Sequence, residues 1–310
     1  MKKIILLLLP VYLFSCIWIN GTTIDGEHKY QGAGDFFWSR LKRTIEEESP
    51  KTKLKDILEE RKDKKVSVDE LSEDDAVILM LQGKYEESIK KLLELNQRHP
   101  NKYSIASNLG TAYELNGENE KALKWIAEGI KRDANSHYGT EWLHQLILKL
   151  KIEERQNKDF LQTKRAIPLP EKFNLDDNIT IDNQTHTISD IQKALGYQLS
   201  ERLVFVKPKE QIVADLLYAL ARIEAQLSTV EEGLKYLELA KLYGFANPKL
   251  LEEKRAYYED IIEHHSLSYY LALLDNPNTI WEVSITVVFI ALLGILLIFL
   301  KRFIFKVFLD

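Results

Sequence analysis

The chain has 310 residues, of which 45% are hydrophobic and 29% charged, and its formal net charge is -5 at neutral pH. This composition is typical of a folded globular protein and excludes an intrinsically disordered one. The acidic balance offers no basic patch that could neutralise phosphates, which argues against a nucleic-acid-binding protein. The single cysteine cannot form a disulfide bond within the chain.

The N-terminus has the three parts of a secretory signal peptide. Lys2 and Lys3 give a basic start, and an apolar run follows from Ile4 to Phe14. The run is shorter than the roughly 20 apolar residues of a transmembrane helix, so we expect an exported segment and not a membrane span. The small residue Ser15 and then Cys16 end the run.

The sequence LFSC that ends at Cys16 resembles the lipobox of bacterial lipoproteins. In that class the chain is cut before the cysteine, and the thiol carries a diacylglyceryl group. The resemblance implies a signal peptide over residues 1–15 and a lipidated Cys16 as the first residue of the mature protein. The alternative is an uncleaved signal anchor in which the cysteine is buried and unmodified.

The C-terminal part contains the uncharged run VSITVVFIALLGILLIFL, residues 283–300. Together with the residues just before it, this run is long enough to cross a bilayer and predicts a transmembrane helix over 280–300; a buried core helix is the alternative. Lys301 and Arg302 follow it, and positive residues beside a span favour the cytoplasm, so residues 301–310 are predicted to be a cytoplasmic tail. The body is then expected on the outer, periplasmic side of a bacterial plasma membrane.

The middle of the chain contains an internal repeat. The segments DDAVILMLQGKYEESIKKLLELNQRHPN and SNLGTAYELNGENEKALKWIAEGIKRDAN superpose when shifted by 34 residues. The shift matches Ala76 to Gly110, Leu79 to Tyr113, Gly83 to Gly117, Ser88 to Ala122 and Leu92 to Ile126. A period of about 34 residues is typical of solenoids built from helix-turn-helix units.

These residues resemble the tetratricopeptide repeat. In that family, small residues let the two helices of a repeat approach closely, glycine occupies the turn, and an aromatic residue fills the remaining gap. The repeat-defining residues here are Ala76, Gly83, Gly110, Tyr113, Gly117 and Ala122. A weaker unit has small residues at Ala221, Gly233 and Ala240. The alternative is an unrelated array of helical hairpins.

The predicted fold class is all-α: a tetratricopeptide-like α-solenoid with an irregular insertion and one C-terminal transmembrane helix. The predicted segments are a signal peptide (1–15), an N-terminal linker with amphipathic or capping helices (16–68), tetratricopeptide repeats (69–160), a loop or short-strand insertion (161–208), further helical hairpins (209–275), a transmembrane helix (280–300) and a tail (301–310). Within the N-terminal segment, residues 35–48 have the spacing of an amphipathic helix that lies on the membrane or caps the solenoid.

The sequence predicts no enzyme, because it has neither a nucleophile elbow nor a P-loop. Glu141 and His144 lie one helical turn apart, with His137 nearby, which is part of a metal-ligand pattern. A complete site would need a second such motif from a facing helix, so we interpret both histidines as surface or packing residues and predict no metal and no cofactor.

The resemblance implies a groove lined by the first helix of each repeat. The candidate partner-binding residues are Ser107, Asn108, Thr111, Glu114, Glu141 and Gln145. The set is acidic and neutral, so we expect it to suit a basic or neutral segment, and we expect Asn108 and Glu114 to face solvent. The predicted function is a membrane-tethered scaffold for a protein or peptide; the alternative is an accessory or assembly subunit of an envelope membrane complex that meets its partner through the transmembrane helix.

Overall fold

The computed structural model describes residues 19–31, 36–46, 49–63 and 68–275. The predicted signal peptide, the lipidated cysteine, the transmembrane helix and the tail therefore lie outside the described residues. Among the helices that are described, none combines the length and the apolar character that crossing a bilayer requires.

The described chain is mostly helical, so the all-α class is confirmed. Its helices are α1 (Phe36–Glu46), α2 (Pro50–Asp63), α3 (Val68–Leu81), α4 (Tyr85–Arg98), α5 (Tyr103–Leu115), α6 (Asn119–Arg132), α7 (Glu141–Gln156), α8 (Ile188–Arg202), α9 (Gln211–Leu227), α10 (Val230–Tyr243) and α11 (Pro248–Asp275). The strands are β1 (Ile19–Thr22), β2 (His28–Gln31), β3 (Asn178–Ile181) and β4 (Gln184–Thr187). They form two separate antiparallel hairpins, β1–β2 and β3–β4.

Helices α3 to α6 form two consecutive helical hairpins. In the first, Ser88 on α4 is fully buried, and its hydroxyl donates a hydrogen bond of 2.7 Å to the carbonyl oxygen of Ala76 on α3. Only small side chains allow a hydroxyl to reach the backbone of a neighbouring helix in this way. The turns that end α3 and α5 contain Gly83 and Gly117, with φ of 77° and 80°. Glycine adopts this left-handed conformation without the steric cost that a Cβ atom would add.

The second hairpin depends on the absence of a side chain at Gly110. A Cβ atom at this position would lie 2.3 Å from Cδ1 and 2.6 Å from Cγ1 of Ile126 on α6. Beside it, Tyr113 and Ala122 are buried in the same apolar cluster. The small residues of the sequence repeat therefore lie where the two helices cross closely.

The insertion after α7 contains a strand hairpin and a helix. The β3–β4 turn consists of Asp182 and Asn183, both with positive φ, which is the conformation that a two-residue hairpin turn requires. Helix α8 begins directly afterwards with a capping box, in which Thr187 and Asp190 bond each other's backbone nitrogens. The sequence analysis did not predict α8, because its apolar residues follow the polar strand segment without a break.

The insertion is held to the rest of the molecule by a buried carboxylate on α9. Asp215 accepts a hydrogen bond of 2.7 Å from the backbone nitrogen of Ala166 and pairs with Arg165. Burial raises the pKa of the Asp215 carboxyl to about 6, against the opposing effect of Arg165. Four side chains on the inner face of α8 are also fully buried in the main apolar core: Ile188, Ile191, Leu195 and Leu199.

The N-terminal elements pack on the helical body. Leu41 of α1 is fully buried in the main core, where α1 contacts α8. Helix α2 contacts α3, and its Arg61 donates to Asp75 at 2.8 Å. In β1, the backbone nitrogen and the hydroxyl of Thr22 both donate to the Glu231 carboxylate on α10, each at 2.8 Å. The residues from 36 to 46 thus cover the insertion helix, and α2 covers the first hairpin.

We predict that Gly110→Leu lowers the free energy of unfolding by about 1–3 kcal/mol or more, because overpacking a close helix crossing forces the backbones apart. Gly129→Ala is the matched control. A Cβ atom at Gly129 would meet its nearest neighbours at an ordinary 3.6 Å. This substitution should be neutral or stabilise α6 by about 0.5–1 kcal/mol. Urea denaturation, monitored by circular dichroism, measures the free energy of unfolding of both variants. Equal stability of the two would contradict the close crossing of the helices.

Candidate functional site

A cavity of about 400 Å³ lies between the first helices of the hairpin array and the insertion. We call it the groove cavity. Helices α3, α5 and α7 contribute one side of it, α2 contributes Lys53 and Ile57, and α8 with the segment 204–206 contributes the other side. Its volume is within the range of about 300–1,000 Å³ that ligand pockets have in proteins.

Five of the six predicted partner-binding residues line the groove cavity: Ser107, Asn108, Thr111, Glu114 and Glu141. Gln145, the sixth, is not part of its lining. Asn108 and Thr111 are half-buried, whereas the other three are buried. The expectation that Glu114 faces solvent is therefore wrong, because Arg202 at the end of the insertion helix packs on its carboxylate.

Glu114 is the centre of a buried cluster of charges. Both terminal nitrogens of Arg202 donate to its two carboxylate oxygens. The Lys151 ammonium group lies 2.7 Å from Oε1, and Nε2 of His144 lies 2.7 Å from Oε2. Burial alone would raise the pKa of the Glu114 carboxyl, but the charge of Arg202 and the contacts with His144 and Lys151 outweigh it and hold the pKa well below its usual range.

A second carboxylate, Glu141, extends the cluster along α7. Its Oε1 accepts from the Tyr103 hydroxyl at 3.2 Å and contacts Nδ1 of His137. Burial would raise the pKa of Glu141, but the polar contacts with His137 and His144 and the charges of both rings lower it to about 2. Burial likewise opposes protonation of His144, yet its contacts with Glu114 and Glu141 raise its pKa.

The turn that leads into α7 has a strained backbone beside the groove cavity. His137 and Tyr138 both have left-handed φ values, 46° and 60°, which residues with a Cβ atom rarely adopt. This conformation brings His137 to Glu141 and leaves the Tyr138 ring 72% exposed, in edge contact with Tyr197 of α8. Strain of this kind is concentrated at functional sites.

Two polar atoms of the cluster have no hydrogen-bond partner among the described residues. They are Nε of Arg202, a donor, and Oε2 of Glu141, an acceptor, and both are buried. The Glu141 oxygen lies 3.4 Å from Nδ1 of His144, within ion-pair distance. Buried polar groups are nearly always paired in folded proteins, with protein atoms or with ordered water, so both atoms have capacity for a further hydrogen bond.

The charged groups around Glu114 and Glu141 form a network of ion pairs. Each of its charged groups is paired with an opposite charge within the protein. Within the part of the chain that the structure describes, no set of three or more histidine, cysteine or carboxylate side chains is arranged to hold a metal ion. His144, interpreted from the sequence as a surface or packing residue, is buried and forms part of the ion-pair cluster together with Glu141.

Sequence reasoning missed both cations that neutralise Glu114. Lys151 could have been found, because Glu141, His144 and Lys151 are spaced so that they lie toward one face of α7. Arg202 could not, because it comes from a helix that the sequence analysis did not predict. The groove is therefore not the acidic surface that the candidate residues alone indicated.

We predict that Glu114→Lys destabilises the protein by about 3–5 kcal/mol, because it leaves Arg202 and Lys151 buried beside a like charge. Asn108→Ala is the control: it removes a half-buried side chain whose only described bond is a long one of 3.4 Å to Glu73. This variant should stay within about 0.5 kcal/mol of the parent. Thermal denaturation measures the stability of both variants. A Glu114→Lys protein as stable as the parent would show that the cluster contributes nothing to the fold.

The acid stability of the protein is expected to depend on Glu141. Its pKa is 4.5 in the unfolded chain and about 2 in the folded one, so the folded state is favoured above pH 4.5, and this contribution is lost as the pH falls from 4.5 to 2. Glu141→Gln should therefore lose less stability over this range than the parent does. Urea denaturation at each pH measures the free energy of unfolding, and Glu94→Gln, at an exposed position, is the control. An equal loss of stability between pH 4.5 and 2 in Glu141→Gln and in the parent would contradict the lowered pKa of Glu141.

Comparison with known proteins adds no relative. No protein-family model matches the chain, and no curated protein matches it in sequence. The function is therefore argued from the geometry of the groove cavity.

Proposed function

We propose that this chain is a membrane-tethered helical-repeat scaffold that holds a segment of a partner protein in the groove cavity. The two hairpins α3–α4 and α5–α6 support the assignment to the tetratricopeptide type. They have small residues at the helix crossings and left-handed glycines in the turns, at the same positions of both units. In solenoids of this kind the inner faces of successive first helices form an extended binding surface.

The observation that carries the proposal is the pair of unpartnered atoms in the groove cavity. Nε of Arg202 offers a donor and Oε2 of Glu141 offers an acceptor. A main-chain amide presents the complementary pair, a carbonyl oxygen and an N–H group, at every residue of an extended peptide. Apolar side chains on the cavity wall, among them Val77, Met80 and Phe205, provide contacts for the side chains of such a segment.

The charges of the cluster favour an uncharged segment. The carboxylates of Glu114 and Glu141 are offset by Arg202, Lys151 and the raised pKa of His144. A basic segment would meet these cations, and an acidic one would meet the carboxylates, each at a cost in desolvation. The partner segment therefore has neutral side chains where it enters the cavity, and the basic partner expected from the candidate residues alone is disfavoured.

The tether is proposed from the sequence: a lipid on Cys16 and a span over residues 280–300. Two elements that pack on the helical body would connect it to these anchors. Strand β1 begins shortly after the cysteine and is bonded to α10, and helix α11 ends shortly before the apolar run. Short connections of this kind would hold the groove cavity at a fixed distance from the bilayer.

A substitution that fills the groove cavity tests the proposal. Peptides selected from a random display library on the full chain serve as the probe, and fluorescence anisotropy measures their affinity. Thr111→Arg places a long side chain in the cavity and should weaken binding by about tenfold or more, while circular dichroism remains unchanged. Thr163→Arg, at an exposed position outside the cavity, is the matched control. Selected peptides that bind Thr111→Arg as tightly as the parent would refute the groove as the binding site.

A further inference from the structure

A second cavity, of about 390 Å³, lies where α9 and α11 meet the insertion. We call it the α9–α11 cavity. It shares no lining residue with the groove cavity, so it is independent of the proposed peptide site. Among its described lining residues, three are cations and one is a carboxylate: Lys172, Arg222, Lys254 and Glu171.

Two of these cations are largely buried. The side chains of Arg222 and Lys254 are only 11% and 15% exposed. Arg222 donates to the carbonyl oxygens of Leu169 and Pro170, which satisfies two of its N–H donors but not its charge. A cation withdrawn from water is stable only when an opposite charge compensates for the lost hydration.

Among the described residues, an exposed side chain, Glu171, provides this compensation. Oε2 of Glu171 lies 3.1 Å from the Lys254 ammonium group and 3.8 Å from the Arg222 guanidinium group, and the Glu171 side chain is 80% exposed. The hydrogen bond from Lys254, with the charges of Lys254 and Arg222, lowers the pKa of Glu171. A carboxylate this exposed forms only a weak ion pair, so an incoming anion can displace it.

The cavity also contains a hydroxyl donor. Tyr258 is 3% exposed and lines the cavity. Burial raises the pKa of this hydroxyl, so it keeps its proton and can donate. The neighbouring Tyr257 ring, 5.5 Å from the Lys254 ammonium group, helps to fix the position of that cation.

We propose that the α9–α11 cavity binds a phosphate group, which displaces the Glu171 carboxylate from Lys254 and Arg222 and accepts a hydrogen bond from the Tyr258 hydroxyl. A monocarboxylate would merely exchange one negative charge for another. A phosphate monoester has a charge of about -1.5 to -2 and three acceptor oxygens, which matches the surplus of cations over carboxylates in the lining.

Isothermal titration calorimetry of the full chain with inorganic phosphate, at constant ionic strength in chloride, tests the proposal. Lys254→Met should weaken phosphate binding by about tenfold or more, because a charge-assisted hydrogen bond is lost. Glu171→Gln should tighten binding by about twofold to fivefold, because the competing carboxylate is gone. Lys172→Gln, at an exposed position that cannot affect the core, should weaken binding as well.

The control substitutions lie on α11, the helix that also contains Lys254. Lys249 and Glu253 form an exposed pair on α11, one turn apart, outside the cavity lining. Lys249→Met and Glu253→Gln should leave the affinity for phosphate unchanged, which separates a site from a general effect of net charge. Circular dichroism verifies that each variant is folded.

Three outcomes would overturn the proposal. They are a phosphate isotherm no different from that of chloride, acetate binding as tight as phosphate binding, and a Glu171→Gln protein that binds phosphate no better than the parent. None of these would affect the groove cavity, whose peptide binding is measured separately.

The source of the phosphate group is decided by competition. Dihexanoyl phosphatidic acid, whose headgroup is a phosphate monoester, is used below its micelle concentration, and this lipid and glycerol phosphate are each titrated against bound inorganic phosphate. Displacement by the lipid at lower concentration assigns a lipid headgroup, and displacement by glycerol phosphate alone assigns a soluble phosphate compound. Both results support the proposed phosphate site, and failure of both compounds and of inorganic phosphate itself to bind refutes it.

Discussion

The bidentate contact between Arg202 and Glu114 is the interaction on which the arrangement of the molecule depends. It joins the second repeat to the end of the insertion helix, and His144 and Lys151 add α7 to the same carboxylate. Three elements that are distant in sequence thus share one buried charge. Buried ion pairs contribute little net stability but tolerate the loss of one partner badly, so the cluster fixes where the insertion lies more than it strengthens the fold.

This constraint determines the character of the groove. An open solenoid would present its first helices to solvent, whereas here α8 and the segment after it form a second wall. The second wall converts a surface into a cavity and withdraws Ser107, Glu114 and Glu141 from water. The hydrogen bonds and ion pairs that these side chains form within the protein compensate for the loss of hydration. Two buried atoms of the cluster, on Arg202 and Glu141, have no hydrogen-bond partner among the described residues, and they are the atoms that the proposed partner segment would contact.

The insertion has two roles in this arrangement. On one side its helix α8 closes the groove cavity, and on the other its irregular segment contributes Lys172 and Glu171 to the α9–α11 cavity. Asp215 and Arg222 on α9 hold that segment through its backbone. Because both cavities are formed with the same inserted segment, the insertion is an integral part of the core and not a spacer between repeats.

The sequence by itself determined the helical class and the hairpin geometry of α3–α6, because close helix crossings and left-handed turns demand particular residues at particular spacings. Gly83, Gly110 and Gly117 carry that information locally. It also identified five of the residues that line the groove cavity. Only the tertiary structure decided that Glu114 is buried and which cations neutralise it. Those contacts join residues up to 88 positions apart, and no local pattern specifies a pairing at that distance.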